Sequence, residues 1–151
     1  MGICCEIAAV PSDEIRQLLD DPESAVAADF SRSVGLEKAW HGLHFLLTGD
    51  VMGGAEPLCF LLAGGREVDE TLRIFDAPQV RSLDQALSQV SDEELWRRFD
   101  PSTMSAQGVY PDIWDESETE LRDEYTEYFR DMKTLIAAAA KDDMALLVRL
   151  A

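Results

Sequence analysis

The sequence predicts one α+β domain over residues 1–151, in which a small mixed sheet packs against about five or six helices. Apolar runs typical of strands stand near the amino terminus (3–10), in the middle of the chain (58–63) and near the carboxyl terminus (144–150). The clearest helical periodicity spans 117–140, where apolar residues recur every three or four positions, as in a long amphipathic helix. Strands and helices that do not alternate regularly favour the α+β class.

The first run, residues 3–10, predicts a buried strand with one misfit, Glu6, whose carboxylate would need a partner inside a core. Ser12 is the predicted N-cap of a helix that ends at Asp20-Asp21-Pro22. Residues 23–30 predict a second short helix.

A third helix is predicted from Leu36 to Leu47, after a break at 31–35, and Gly49 is its predicted stop. Beyond the apolar run at 58–63, residues 68–75 are compatible with either a strand or a loop.

Two capping boxes, Ser82–Gln85 and Ser91–Glu94, predict the starts of two further short helices. Asp100-Pro101 is the predicted end of this pair. Residues 102–114 predict an irregular connection to the long helix.

The charge balance restricts the classes of partner. The chain has 30 acidic and 13 basic residues and a net charge of −17. A field of that sign repels phosphate backbones and anionic headgroups, so we expect neither nucleic acid nor a membrane surface as a partner. A basic protein, a cation or a neutral small molecule is favoured, although the charge is also explained by solubility alone.

Cysteine usage and hydropathy predict a cytoplasmic protein. The 3 cysteines include no CxxC pair, which is typical of free thiols in a reducing compartment. The amino terminus lacks the pattern of a signal peptide, and no apolar run approaches the length of a membrane span.

Both histidines of the chain lie in the predicted third helix. On a helical wheel, Glu37, His41, His44 and Thr48 fall on one polar side, at spacings of four, three and four, next to the apolar face. These four residues are the candidate site.

Three interpretations of this site compete. In the structural one, which we favour, His44 is a histidine at the core boundary, and Glu37 and His41 form a surface pair. In the second, the site is one edge of a ligand pocket with aromatic walls. The candidate ligand-binding residues are then Trp40, His41, His44, Thr48, Tyr110 and Trp114.

The third interpretation is a metal site, since two histidines and a carboxylate are suitable zinc ligands. However, three ligands spread along nearly two turns of one helix rarely converge on one ion, and the spacing is not His-Glu-x-x-His. We therefore expect no metal and no cofactor.

Three segments resemble a known family. They are Lys38–Gly49 (KAWHGLHFLLTG), the run Leu58–Leu62 followed by Gly64-Gly65, and Tyr110–Trp114 (YPDIW) ahead of the long helix. Their order and spacing resemble the YfbM-like family of bacterial proteins over nearly the whole chain. The resemblance implies a small cytoplasmic α+β domain. It supplies no established activity and no catalytic residues.

Within that resemblance, Trp40, His44, Thr48 and Gly49 match the family pattern, whereas His41 occurs less regularly. A metal site built on both histidines is correspondingly disfavoured.

Two functional hypotheses remain. The first is a small acidic binding module that recognises a protein or small molecule, for example an immunity- or inhibitor-like protein that blocks a basic partner. The alternative is an enzyme in which His44 acts as acid or base, oriented by Glu37 or Thr48. A purely structural subunit is a third possibility.

Overall fold

A five-stranded sheet forms the centre of the protein. The computed structural model describes residues 2–21 and 32–151. The strand order is β2-β1-β5-β4-β3. The strands are β1 (Cys5–Val10), β2 (Ser33–Glu37), β3 (Arg66–Glu67), β4 (Leu72–Phe75) and β5 (Ala145–Leu150).

Helices occupy most of the remaining described chain. A 3-10 turn at Ser12–Glu14 leads into the first of them. The helices are α1 (Ile15–Asp20), α2 (Trp40–Thr48), α3 (Ala77–Ser88), α4 (Asp92–Trp96), α5 (Pro101–Ala106) and α6 (Glu118–Lys141). The predicted α+β class is confirmed. Every pairing between the described strands is antiparallel, whereas a mixed sheet was expected.

The two central strands, β1 and β5, are buried on both faces. On one face, Ile7 and Leu146 belong to the main core with the helices α2 to α6. On the other face, Ala8 and Leu147 pack with Leu18 of α1 in a smaller cluster. Because both faces are covered, both strands are apolar at nearly every position, as predicted.

Glu6 is the exception in β1, and the structure explains it. Its side chain is exposed and its Cα lies opposite that of Arg149 on β5. The predicted conflict with a core does not arise, because Glu6 is exposed to solvent.

The long helix α6 confirms the predicted periodicity. Its buried residues lie on one stripe and include Leu121, Tyr125, Phe129, Met132 and Ile136. The Ser117 side chain accepts the backbone N–H of Glu120 at the start of the helix, which satisfies one of its free donors.

Two predicted helix starts were wrong. Ser12 caps no helix, because its hydroxyl donates to the Asp143 carbonyl at 2.6 Å instead. Ser82 lies inside α3, whose capping box is formed six residues earlier by Asp76 and Gln79. The predicted cap at Ser91 is confirmed, since its side chain accepts a backbone N–H in the first turn of α4.

Three segments differ from their prediction. At 33–37, the second part of the expected break and the expected start of the third helix are replaced by β2, which pairs with β1. The apolar run 58–63 forms consecutive turns, not a strand. The segment 102–114 contains most of the short helix α5. The helix predicted at 23–30 lies outside the described residues.

None of the helices in the described part of the chain combines the length and the apolar character needed to cross a bilayer.

Candidate functional site

Helix α2 carries most of the predicted site, and it is enclosed by protein. All residues from Trp40 to Leu47 are buried, and only Thr48 at its end is half-buried. Glu37 is not part of this helix. It ends β2 with a left-handed φ of 49°, so the predicted polar stripe of four residues does not form.

The end of α2 is held by two features. Gly49 adopts a left-handed φ of 75°, and its N–H donates to the Phe45 carbonyl, as in a typical C-cap. The Arg98 guanidinium donates to the free carbonyls of Leu46 and Leu47 at 3.1 and 3.0 Å. A cation at this end also complements the helix dipole.

His41 makes two hydrogen bonds to the backbone. Its Nδ1 accepts the N–H of Tyr110 at 2.9 Å, so the proton must lie on Nε2, which donates to the Val51 carbonyl at 2.8 Å. With both nitrogens occupied and 6% of the residue exposed, His41 ties α2 to two loops and offers no free nitrogen to a ligand.

His44 has the opposite environment. It is 0% exposed, and neither ring nitrogen has a hydrogen-bond partner among the described residues. Burial lowers the pKa of His44 below its usual value; the backbone of Gly53 acts in the opposite direction, although its contact with the ring does not meet the geometry of a hydrogen bond. A neutral imidazole is therefore favoured at this position.

Thr48 closes the turn that follows α2. Its hydroxyl donates to the His44 carbonyl at 2.8 Å and accepts the Asp50 N–H at 3.1 Å. The Asp50 carboxylate in turn accepts the N–H groups of Met52 and Gly53 at 3.1 and 2.9 Å. These contacts shape the loop over α2.

The predicted aromatic residues fall into two groups. Trp40 stacks on His41 at 5.1 Å and lies 5.6 Å from the Tyr110 ring. Trp40 and Tyr110 both contact the backbone of Ile3: the Trp40 indole N–H donates to the Ile3 carbonyl, and the Tyr110 hydroxyl accepts the Ile3 N–H. Trp114 lies elsewhere.

Trp114 packs against Gly42, on another side of α2, and against Tyr125 at 5.7 Å between ring centroids. Its indole N–H donates to the Val109 carbonyl. The predicted residues therefore do not converge around one opening.

An open cleft lies beyond α2, between the turns at 56–65 and the first half of α3. Its volume is about 340 Å³. Its lining is mainly apolar, with a few polar side chains: Glu56, Pro57, Cys59, Phe60, Ala63, Gly64, Gly65, Phe75, Pro78, Gln79, Ser82 and Leu83. None of the predicted site residues lines it.

Arg73 fixes the turns that form one wall of this cleft. Its guanidinium donates to the carbonyls of Leu61 and Gly64 at 2.6 and 3.4 Å. Gly65 has a φ of 66°, and a Cβ there would lie 2.6 Å from the Ile74 carbonyl oxygen. Only glycine fits this close approach of backbone to β4.

The cleft carries negative charge. Glu56 is the one charged side chain among its described lining residues. Burial raises the pKa of the Cys59 thiol, and the Glu56 carboxylate acts in the same direction. A protonated Cys59 is a poor nucleophile, so covalent chemistry at this thiol is disfavoured.

With this geometry established, comparison with known proteins defines the family. Residues 1–149 match the family described as a domain of unknown function (DUF1877). The chain belongs to this family.

The DUF1877 fold is also present in a solved structure. The crystal structure of YfbM from Escherichia coli, a protein of unknown function, is similar with a TM-score of 0.76 and 22% sequence identity. The match covers 98% of this chain and 99% of that chain, and at this identity it shows the fold alone. No curated protein matches this DUF1877 chain.

Sequence reasoning missed the cleft of this DUF1877 domain because its walls come from a segment interpreted as a strand. One signal was present in the sequence. Pro57 and the pair Gly64-Gly65 enclose the apolar run so tightly that turns are a natural alternative to a strand.

Proposed function

We propose that this DUF1877 domain is a non-catalytic binding module whose ligand is a small molecule held in the cleft between residues 56–65 and α3. The cleft itself is the observation that carries this proposal. Small-molecule sites are typically concave, mostly apolar and equipped with a few polar groups, with volumes of about 300–1,000 Å³. At about 340 Å³, with the rings of Phe60 and Phe75 in its wall, the cleft meets that description.

The environment of His44 gives less support to the alternative, an enzyme with an acid or base at this residue. A general base must reach the proton that it removes, directly or through one water. His44 is 0% exposed and does not line the cleft. The predicted binding role of the residues around α2 stays a prediction, and their backbone hydrogen bonds favour a structural role.

The net charge of −17 is also compatible with a neutral or cationic small molecule as the ligand. It disfavours nucleic acid and anionic membranes, and we propose that neither is a partner. Cys4, Cys5 and Cys59 are free thiols, which is compatible with a reducing compartment, and we propose that the domain acts in the cytoplasm.

A fragment screen by NMR tests the proposal. Neutral, cationic and anionic fragments are added at millimolar concentration to isotopically labelled protein, and the shifts of the backbone amides are mapped. We expect the binders to shift amides at 56–65 and in the first half of α3. Binders that shift other regions, or a screen without binders, would overturn the proposal.

A matched pair of variants makes this test specific. Ser82→Trp places an indole in the cleft, and we expect it to abolish fragment binding. Ser88→Trp changes the same residue type at an exposed position of the same helix that does not line the cleft. It should bind as the wild type does. Equal binding by both variants would show that the fragments occupy another site.

A further inference from the structure

We propose that the natural ligand of the cleft is an organic cation, namely an amine that carries a small apolar or aromatic group. This inference rests on the proposed function and adds the chemical class of the ligand. It depends on three features of the cleft: its single carboxylate, the absence of an available cation in its described lining, and its aromatic wall.

Glu56 supplies the negative charge. Its Oε1 lies 3.5 Å from the Cβ that Gly64 would carry, which places the carboxylate at the turn forming the cleft wall. Both Glu56 and Arg73 act on the Cys59 thiol, which lines the cleft, and the effect of Glu56 on its pKa is the larger of the two. An ammonium group in the cleft would gain a charge-assisted hydrogen bond from this side chain.

Arg73, the cation that holds the turns of the cleft wall, is already occupied. Arg73 directs its guanidinium at the carbonyls of Leu61 and Gly64 and lies 5.8 Å from the Phe75 ring centroid. These contacts hold the wall in place, and Arg73 is not among the lining residues. A carboxylate or phosphate ligand would therefore meet Glu56 without a compensating positive side chain from the lining.

The amino terminus of α3 borders the cleft, but it is not an anion site. The Asp76 side chain already accepts the N–H of Gln79, and the Gln79 side chain accepts the N–H of Asp76. Pro78 has no N–H to donate. The N–H groups of Asp76 and Gln79 are thus satisfied and that of Pro78 is missing, which leaves few donors for an anion at this helix start.

The apolar part of the ligand is accommodated by aromatic and proline side chains. Phe60 and Phe75 meet edge to face, with ring centroids 6.4 Å apart. Pro57 and Pro78 line the cleft as well. A ring or short alkyl group attached to the amine would bury apolar surface here, and the aromatic faces would add attraction for the cation.

Three ligands of similar shape test the charge preference: 2-phenylethylamine, 2-phenylethanol and 3-phenylpropionate. Dissociation constants are measured from amide shifts at neutral pH and low salt. We expect the amine to bind about fivefold more tightly than the alcohol, which is the size of effect for an exposed ion pair, and the carboxylate to bind least. Added salt should reduce the affinity advantage of the amine over the alcohol and leave the affinity for the alcohol unchanged.

The variant Glu56→Gln should remove the advantage of the amine and leave the affinity for the alcohol unchanged. Glu14→Gln is the control, because it removes the same charge from an exposed residue of the 3-10 turn that does not line the cleft. It should preserve the preference for the amine.

The outcomes separate the two proposals. If the alcohol or the carboxylate binds in the cleft as tightly as the amine, or Glu56→Gln changes nothing, the cation assignment is overturned while binding in the cleft stands. If the cleft amides respond to none of the three compounds but respond to other neutral or anionic fragments, the cation assignment is again overturned while binding in the cleft stands. If binders shift only amides away from the cleft, both proposals fail.

Discussion

The imidazole of His41 accepts the backbone N–H of Tyr110 at 2.9 Å and connects α2 to a loop that lies 69 positions later in the chain. One turn further along the same helix, His44 is equally enclosed but has no hydrogen-bond partner among the described residues. Two neighbouring histidines on one helix therefore differ in a way that predicts opposite responses to the same substitution.

Replacing each histidine by leucine tests that difference. His41→Leu leaves the Tyr110 N–H and the Val51 carbonyl unpaired. An unpaired group costs about 1–3 kcal/mol when it is fully buried, and because Tyr110 and Val51 are half-buried we expect a total loss in the lower part of the summed range, about 2–4 kcal/mol. His44→Leu removes a buried polar group that has no partner, and we expect a change within about 1 kcal/mol or a gain. Urea denaturation measures both, and equal losses would contradict the assignment.

The buried state of His44 also predicts a pH dependence. Because burial lowers its pKa in the folded protein, the unfolded chain binds the proton more readily as the pH falls below about 6.5. The contribution of neutral His44 to the free energy of unfolding is therefore fully present above about pH 6.5, and it is lost as the pH falls through the pKa that His44 has in the folded protein. The Asp50 carboxylate opposes this shift.

We expect the free energy of unfolding of the wild type to fall faster than that of His44→Leu between pH 7.5 and 5.5. The difference in slope is limited to about 1.4 kcal/mol per pH unit, the value for one proton. Urea denaturation at several pH values measures it. Identical slopes in the two proteins would show that His44 does not titrate differently on folding.

The elements that sequence patterns predicted well are those whose burial is set by their own periodicity. Helix α6 has one stripe facing the core, and β1 and β5 are apolar because both faces are covered. Strand β2 was missed because it is a short strand at the sheet edge with Gly35 at its centre, and glycine is unfavourable inside a strand. Its pairing with β1 is a tertiary contact, and the local sequence pattern does not indicate it.

The site was harder to predict because α2 is buried on all sides. A fully buried helix has no solvent-facing polar side that a helical wheel could distinguish. The helical wheel placed the two histidines side by side, but the hydrogen-bond partners of His41 are Val51 and Tyr110, which lie outside the helix. The cleft depends on Arg73 reaching back to the carbonyls of 61 and 64, which no spacing in the sequence indicates.

Gly42 in the middle of α2 provides the last prediction. Alanine normally stabilises a helix by about 1 kcal/mol relative to glycine. Here a Cβ would lie 2.6 Å from Cε2 of Tyr125 and 2.7 Å from Cη2 of Trp114, and both rings are buried. Overpacking of this kind costs about 1–3 kcal/mol, so we expect Gly42→Ala to be destabilising overall.

Gly35→Ala is the matched control, because a Cβ at this exposed position of β2 meets only a Glu37 carboxylate oxygen, at 3.7 Å. We expect a change within about 0.5 kcal/mol there. Urea denaturation followed by tryptophan fluorescence measures both variants, and the near-ultraviolet circular dichroism of Gly42→Ala should also change as the Trp114 and Tyr125 rings shift. If Gly42→Ala instead raises stability by the amount expected from helix propensity, then Gly42 does not pack closely against these two rings.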